Sequence, residues 1–286
     1  MRHIVIIGNS AAGMAAAEAV RGRDREARLT ILTDEPFPAY ERYRVLDFFE
    51  GRCKERDLVF RDKGFYADHG IALLADKKVT GISVHRRHVH LKDKETVDFD
   101  DLVIASGRRP ALPALKGIQK EGVLSFGGLR EAKILLDNLP IAHTVLIVGE
   151  TPVALELARG LAVRKVDVKL FGAPETAPDG VEVIRDNPLI EILGDSELKA
   201  VRLANHKVIG ASLLVFAGPR EPNVDFLRDT DIKINRGVLV DPSFRTSVPY
   251  VYAVGDAAEP REGAWSQGWQ EARRQGEMLG GLLCQA

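Results

Sequence analysis

The chain opens on an unbroken apolar run, Ile4-Val5-Ile6-Ile7, which stops at Gly8 and is soon followed by the small-residue stretch Met14-Ala-Ala-Ala17. A short run bounded by glycine is the pattern of a strand buried on both faces of a parallel sheet. Similar runs recur at Arg28–Leu32, Ile71–Leu74, Phe99–Gly107, His143 onward, Val166–Phe171, Val181–Ile184, Ser212–Gly218 and Val251–Val254. Helices are predicted after Gly8, through Phe48 to Gly51, across Asp57 to His69, after Gly149, and from Trp269 towards the end. Alternation at Lys77–Val84 and Val89–Leu91 suggests a small meander, and Leu198–Leu203 a further short strand. Strands interleaved with helices imply an α/β protein with parallel sheets. Between Phe171 and Val181 only loop sequence rich in Pro, Asp and Gly occurs, so the helix expected to cross between two parallel strands is missing there.

The turn after the first run carries the chemistry. Gly8 permits a sharp exit from the strand, Ser10 stands at the second glycine position of G-x-G-x-x-G, and Gly13 allows close packing of helix on strand. A pyrophosphate can then lie against the free N–H groups and positive end of the helix. The second strand ends in Asp34 and Glu35, where a ribose hydroxyl is usually held; Asp34 is the preferred of the two, with a plain solvated loop as the bland alternative. Arg42 and Arg44, beyond an extended Pro36–Pro38 stretch, are candidate donor forks to a phosphate, or surface arginines. Ala105-Ser106-Gly107 and Gly255-Asp256 close two later strands with residues small enough to leave room for a ligand. The last helix carries Trp269, Gln270, Glu271, Ala272, Gln275 and Gly276; Trp269 reads at least as well as a core aromatic as it does as a ligand contact.

A second strand-turn-helix, TVLIVGETPVALELARGLA, begins at His143. Gly149 matches the first glycine, Thr151 replaces the second and Ala154 the third. Thr151 puts a side chain where a pyrophosphate would press on the backbone, and Pro152 removes an N–H from the first helical turn. No acid follows the next strand until Glu175. This is a nucleotide fold with weakened nucleotide contacts.

Composition narrows the picture. The 286 residues can fill two domains, and the net charge of -1 gives no hint of attraction to nucleic acid or membrane. No apolar run approaches the roughly 18 residues of a membrane span. Cys53 and Cys284 form neither a C-x-x-C pair nor a metal-ligand spacing, and a cytoplasmic, reducing compartment without a signal peptide fits best. His85, His88 and His90 read as exposed strand histidines rather than metal ligands.

As a set, GNSAAG, DEPFPAYERYR, LVIASGRRP, GETPVALE and TSVPYVYAVGDAAE with WQEARRQG resemble the FAD-dependent pyridine nucleotide-disulfide oxidoreductase superfamily. The nearest likeness is to its rubredoxin and ferredoxin reductases, NADH oxidases and the FAD domain of assimilatory nitrite reductase. The resemblance implies two Rossmann-like three-layer domains: a discontinuous FAD domain, 1–108 plus 236–286, and an inserted, reduced NAD(P)-binding-like domain, 109–235. It implies FAD as cofactor, with NAD(P)H in doubt. By the same likeness, Gly8, Ser10, Ala11, Ala12 and Gly13 form the FAD pyrophosphate turn. Asp34 or Glu35 takes the ribose, Arg42 the phosphates, and Arg44 lies towards the flavin. The backbone of Val79 reads the adenine. Ala105, Ser106, Gly107 and Arg109 lie along the flavin, Asp256 after Gly255 binds the ribityl chain, the backbone at Trp269 reaches the flavin carbonyl side, and Glu156 lies near flavin N5. The expected activity is electron transfer between NAD(P)H or a redox-protein donor and an acceptor. The alternative is a flavin-carrying subunit of a larger complex. Ferredoxin- or rubredoxin-like proteins are the expected partners. The sequence departs from the family in lacking a redox-active disulfide motif and any counterpart of the extra C-terminal domain of many relatives.

Overall fold

The structure is a computed structural model that describes residues 1–262, 265 and 267–285. The strands of its two main sheets are, in chain order, β1 (His3–Ile7), β2 (Arg28–Leu32), β3 (Ile71–Leu74), β4 (Asp101–Ile104), β5 (Val123–Ser125), β6 (Thr144–Val148), β7 (Asp167–Phe171), β8 (Val181–Ile184), β9 (Leu213–Phe216) and β10 (Val251–Ala253). The three long helices used below are α1 (Ala11–Arg21), α2 (Pro152–Val163) and α3 (Trp269–Leu283).

The chain divides into two compact units. The first comprises Met1–Tyr43, Arg56–Arg108 and Pro222–Ala286, the second Arg44–Glu55 and Arg109–Glu221. Pro222–Asn235 therefore belongs with the first unit, and the short segment Arg44–Glu55 with the second; the sequence reading had assigned both the other way.

In the first unit the strands lie in the order β3-β2-β1-β4-β10, all parallel. β1 is wholly buried, as its apolar run requires. The two connections out of the centre run in opposite directions from β1, so the strand order reverses between β1 and β4. Open parallel sheets form their ligand crevice at the carboxyl ends of the strands, at such a reversal. Helix α1 covers β1 and is itself covered by α3. Their contact is close because the facing residues are small: a Cβ on Gly276 would lie 2.2 Å from the Ala12 carbonyl oxygen, and one on Gly280 2.6 Å from the Ala19 Cβ. Arg2 secures the far end of α3. Its guanidinium donates to the Leu283 carbonyl at 2.6 Å and to Asp101 at 2.6 Å, a cation placed at the negative end of the helix dipole.

The second unit repeats the plan. Its parallel order is β8-β7-β6-β9-β5, and in each unit a three-stranded antiparallel meander precedes a strand that pairs with the central one, β4 in the first unit and β9 in the second. The meanders are Val79–Ser83, His88–Leu91 and Thr96–Asp98 in the first unit, and Leu189–Leu193, Ala200–Leu203 and Val208–Gly210 in the second. β7 and β8 are parallel neighbours joined by irregular chain, with no helix between them. The segment Val45–Phe49 forms a short helix within this unit, where Phe49 is buried and packs edge-on to Phe126.

Local differences from the sequence reading have simple causes. The expected helix across Asp57–His69 is split: Val59–Arg61 pairs with Ala39–Tyr40 as a strand, and only Lys63–Asp68 is helical, starting where the Asp62 side chain caps the Phe65 N–H. His85 lies in the turn between two meander strands rather than on one. Helix Leu129–Asn138 and strand β5 were not foreseen.

Glu259 anchors the first unit's lower loops. It is 6% exposed and accepts hydrogen bonds of 2.8 Å from the Arg236 and Gly237 N–H groups and the Asn235 side chain. Burial pushes its carboxyl up, but the three donors outweigh burial and hold it below the ordinary range. A depressed folded pKa stabilises the fold above the unfolded value of about 4.3, and that contribution is lost as pH falls through the folded value. Glu259→Gln is expected to lower unfolding free energy by about 1–3 kcal/mol at pH 7, with the deficit shrinking in acid. Denaturant unfolding at pH 7 and pH 3.5 checks this; equal deficits at both would show that the carboxylate charge is not what matters.

Candidate functional site

Four loops leave the carboxyl edge of the first sheet, and each carries residues singled out in the sequence. They are Gly8–Gly13 after β1, Thr33–Glu35 after β2, Ala105–Gly107 after β4 and Val254–Asp256 after β10. Backbone hydrogen bonds hold them level: Gly8 N–H to Leu32 at 2.8 Å, Ala105 N–H to Ile7 at 2.8 Å, and Val254 N–H to Ile104 at 3.0 Å.

The first turn is as tight as its glycines allow. Gly8 has φ +118°, and a Cβ there would lie 2.1 Å from the Ala105 carbonyl oxygen; a Cβ on Gly13 would lie 1.9 Å from that of Gly8. Ser10 is the N-cap of α1, yet its side chain makes no capping bond, and Ala11 and Ala12 add no polar group. The helix N-terminus thus presents its first-turn N–H groups without a protein side chain to satisfy them, which suits an anion such as a pyrophosphate. Asn9 fixes the shape of the loop. Its Oδ1 accepts from the Tyr66 hydroxyl at 2.8 Å, its Nδ2 donates to the Phe37 carbonyl at 3.4 Å, and the same hydroxyl accepts the Ala39 N–H at 3.0 Å. Burial pushes the Tyr66 hydroxyl up, so it remains a protonated donor.

At the end of β2 the two acids differ in their surroundings. Asp34 is exposed, whereas Glu35 is 9% exposed and accepts from the Tyr40 hydroxyl at 2.9 and 3.1 Å and from Arg42. Arg42 also lies over the Tyr40 ring, 5.1 Å from its centroid. Of the two acids, Glu35 is the one that neighbouring side chains hold in place. Arg44 does not join Arg42: it belongs to the second unit and pairs with Asp47 at 3.5 Å. Arg109, also in the second unit, donates twice to Glu221, at 3.1 and 3.0 Å.

The remaining loops are held by groups that local sequence did not flag. Ser106 Oγ donates to the Asn223 carbonyl at 2.7 Å, and the Asn223 N–H returns to Gly107 at 2.9 Å. The Gly255 N–H donates to Gln275 Oε1 at 2.8 Å, and Asp256 accepts the Gly268 N–H at 3.0 Å. Gln275 is oriented in turn by Glu271, whose carboxyl Arg274 and Gln275 hold below the ordinary range. Trp269 packs edge-on to Tyr43 and Phe60, with centroids 5.3 and 5.5 Å away, so its side chain serves the core. Val79 starts the first meander, half-buried against a second cluster, the one around Val5, Leu32 and Leu102. Asn9, Tyr66, Asn223 and the role of Gln275 were missed because each acts across a long stretch of chain.

The corresponding turn of the second unit differs. Gly149 keeps the strained conformation, φ +150°. Thr151 Oγ1 accepts the Ala154 N–H at 3.2 Å and donates to the Ala217 carbonyl at 2.6 Å. Glu150 Oε1 accepts the Ala173 N–H at 2.8 Å, just past β7. Glu156 lies half-buried on α2.

Other candidates carry no chemistry of this kind. His88 pairs with Asp98 at 2.6 Å and His90 with Ser83 at 2.7 Å; among the described residues no cluster of His, Cys, Asp or Glu could hold a metal. Cys53 and Cys284 are both half-buried, and burial pushes the Cys284 thiol up. Among the described residues no helix is long and apolar enough to cross a membrane.

A wholly parallel sheet with a glycine turn, an uncapped helix N-terminus and a seated acid after β2 defines a dinucleotide-binding α/β protein, here with a second copy of the fold. The chain belongs to the pyridine nucleotide-disulphide oxidoreductase family, whose model matches residues 2–276. That family comprises FAD-binding, NAD(P)H-using oxidoreductases. Among its relatives, the chain is 26% identical over 277 residues to an assimilatory nitrate reductase electron transfer subunit of Bacillus subtilis, covering 90% of this chain and 36% of that protein. It is 28% identical over 274 residues to the ferredoxin reductase component of a chlorobenzene dioxygenase from a Cupriavidus species, covering 90% and 67%. The fold matches that of putidaredoxin reductase in its covalent complex with putidaredoxin, with a TM-score of 0.86 at 20% identity over 99% of this chain and 75% of that one.

Tyr66→Phe is expected to leave the buried Asn9 Oδ1 and Ala39 N–H without their partner and to cost about 1–3 kcal/mol. Chemical denaturation checks the value; no loss of stability would show that the loop is held by other contacts.

Proposed function

We propose that this protein is an FAD-dependent oxidoreductase that passes electrons between a donor and an acceptor through FAD held non-covalently by its first unit. The observation that carries the reading is the turn at Gly8–Gly13, where two glycines bring the backbone close and the helix N-terminus lacks a side-chain cap. FAD supplies the redox chemistry, and the chain positions it and sets its surroundings. The α1 N-terminus takes the pyrophosphate. Glu35, already oriented by Tyr40 and Arg42, takes the adenosine ribose, with the backbone at Val79 towards the adenine. Asp256 takes the ribityl chain, and Ala105–Gly107 with the backbone at Trp269 line the flavin end.

The family's use of NAD(P)H makes nicotinamide one possible donor class. The names of the relatives favour redox proteins on one side of the reaction, ferredoxin- or rubredoxin-like, or the other subunits of a larger assembly. The chain spans about a third of the Bacillus protein's length, and that protein's name, an electron transfer subunit, is the ground for the second arrangement: a flavin-carrying module of a larger electron-transfer system. No step requires an amino-acid nucleophile or a redox disulfide.

Two substitutions test the cofactor site. Gly13→Val should abolish FAD retention through purification, because the added Cβ meets the Gly8 carbonyl; a yellow, fully loaded variant would place the pyrophosphate elsewhere. Glu35→Ala should weaken FAD about tenfold to a hundredfold, the worth of a hydrogen bond to a charged group, as measured by titrating the apoprotein with FAD. Unchanged affinity would remove Glu35 from the site.

A further inference from the structure

The second copy of the fold raises the question of what its turn binds. By position, the Gly149–Ala154 turn at the carboxyl end of β6 corresponds to Gly8–Gly13, and a nicotinamide dinucleotide would need its pyrophosphate there. Three features of the chain itself oppose this. The N1 position is Pro152, which has no N–H to offer. The Ala154 N–H, the donor a phosphate oxygen would use at N3, is taken by Thr151 Oγ1, and that hydroxyl's own proton is committed to the Ala217 carbonyl. The hydroxyl therefore has no proton to turn towards an anion without giving up the Ala217 bond. Finally, Glu150 projects a carboxylate across the carboxyl ends of β6 and β7. Its Oε1 accepts the Ala173 N–H, and its Cγ lies 2.7 Å from where a Gly172 Cβ would stand. This negative charge sits beside the turn that a pyrophosphate would have to enter. In the first unit none of these is present: the N1 residue is Ala11, Ser10 caps nothing, and the x position of the turn is the neutral Asn9.

We infer that the second turn is closed to NADH and NADPH by Glu150, Thr151 and Pro152, so that this chain departs from its family's usual electron source while keeping the FAD site. The inference rests on the FAD reading above. It assigns the closure to three side chains, two of which remove first-turn donors while the third sets a carboxylate beside the turn.

The test uses the whole chain purified with its flavin. NADH and NADPH binding is measured by equilibrium dialysis, alongside FAD content from the visible spectrum. Wild type should bind neither nucleotide at up to about 100 μM, a concentration well inside the usual span of enzyme KM values. Glu150→Gln/Thr151→Gly/Pro152→Leu should gain at least tenfold in affinity, and Glu150→Gln alone a smaller gain that falls with added salt, as a charge effect must. Tight binding by wild type overturns the inference. So does a triple variant that keeps its flavin and its far-ultraviolet spectrum but gains nothing. Should the triple variant fail to fold, the single Glu150→Gln decides, since an unchanged affinity there overturns the role of the carboxylate. Absence of FAD from wild type would count against the FAD reading, while the dialysis result would still stand on its own.

Discussion

The first unit depends on how closely α1 is gripped between β1 and α3. The grip is made by glycines against backbone. Gly13 allows the helix to approach the Gly8 carbonyl, and Gly276 and Gly280 allow α3 to approach Ala12, Ala16 and Ala19. No side chain could be inserted at these contacts without moving a main chain, so the position of the α1 N-terminus follows from the packing around it. The helix Met14–Val20 is buried almost throughout, which is why it is built of alanine. Interiors this dense respond to an extra methylene by shifting rather than compressing. The four loops at the carboxyl edge inherit that precision, because each is tied to the next strand by a backbone hydrogen bond.

Comparison of the two units shows how the same topology acquires different chemistry. Both place a glycine turn after the central strand and a helix behind it. What differs is the satisfaction of the helix N-terminus. In α1 the first turn relies on something other than a side chain, and free N–H groups at the positive end of a dipole favour an anion. In α2 a threonine cap, worth about 0.5–2 kcal/mol to a helix, does that work internally. Capping stabilises the helix and, on the inference drawn above, closes it to an anion in one step. The loss of a crossing helix between β7 and β8 belongs with this change, since the acid that follows the second strand of a working dinucleotide site is also absent from Gly172-Ala173-Pro174.

Much of this was legible in the sequence. Ile4–Ile7, the glycine turn and Val251–Val254 announce buried parallel strands through composition alone, and Thr151 with Pro152 announces a spoiled turn. What could not be read is whatever depends on distant partners. Spacing cannot distinguish Asp34 from Glu35 in a loop, and the partners that turn Glu35 inward, Tyr40 and Arg42, are not visible in it. The helix expected across Asp57–His69 was broken by Val59–Arg61, which finds a strand partner in Ala39–Tyr40. Arg44 follows Arg42 by two positions, yet the chain enters the other unit between them. Local pattern fixes an element's kind, and tertiary pairing decides the rest.

Glu35 and Glu150 make the point in opposite senses. Each is a carboxylate near the carboxyl edge of a parallel sheet, and each is held by hydrogen bonds from its own unit. Glu35 is buried and partnered by a cation, Arg42, so its charge is compensated and its remaining acceptor capacity can face a neutral ribose hydroxyl. Glu150 is exposed, bonded only to a backbone N–H among the contacts described, and adjacent to the helix end that an anion would seek. A carboxylate suits a sugar and repels a phosphate. On the readings proposed above, the same functional group completes one dinucleotide site and obstructs the other, and the difference lies in position: after the neighbouring strand β2 it would serve a ribose, and in the turn after the central strand β6 it would stand against a pyrophosphate.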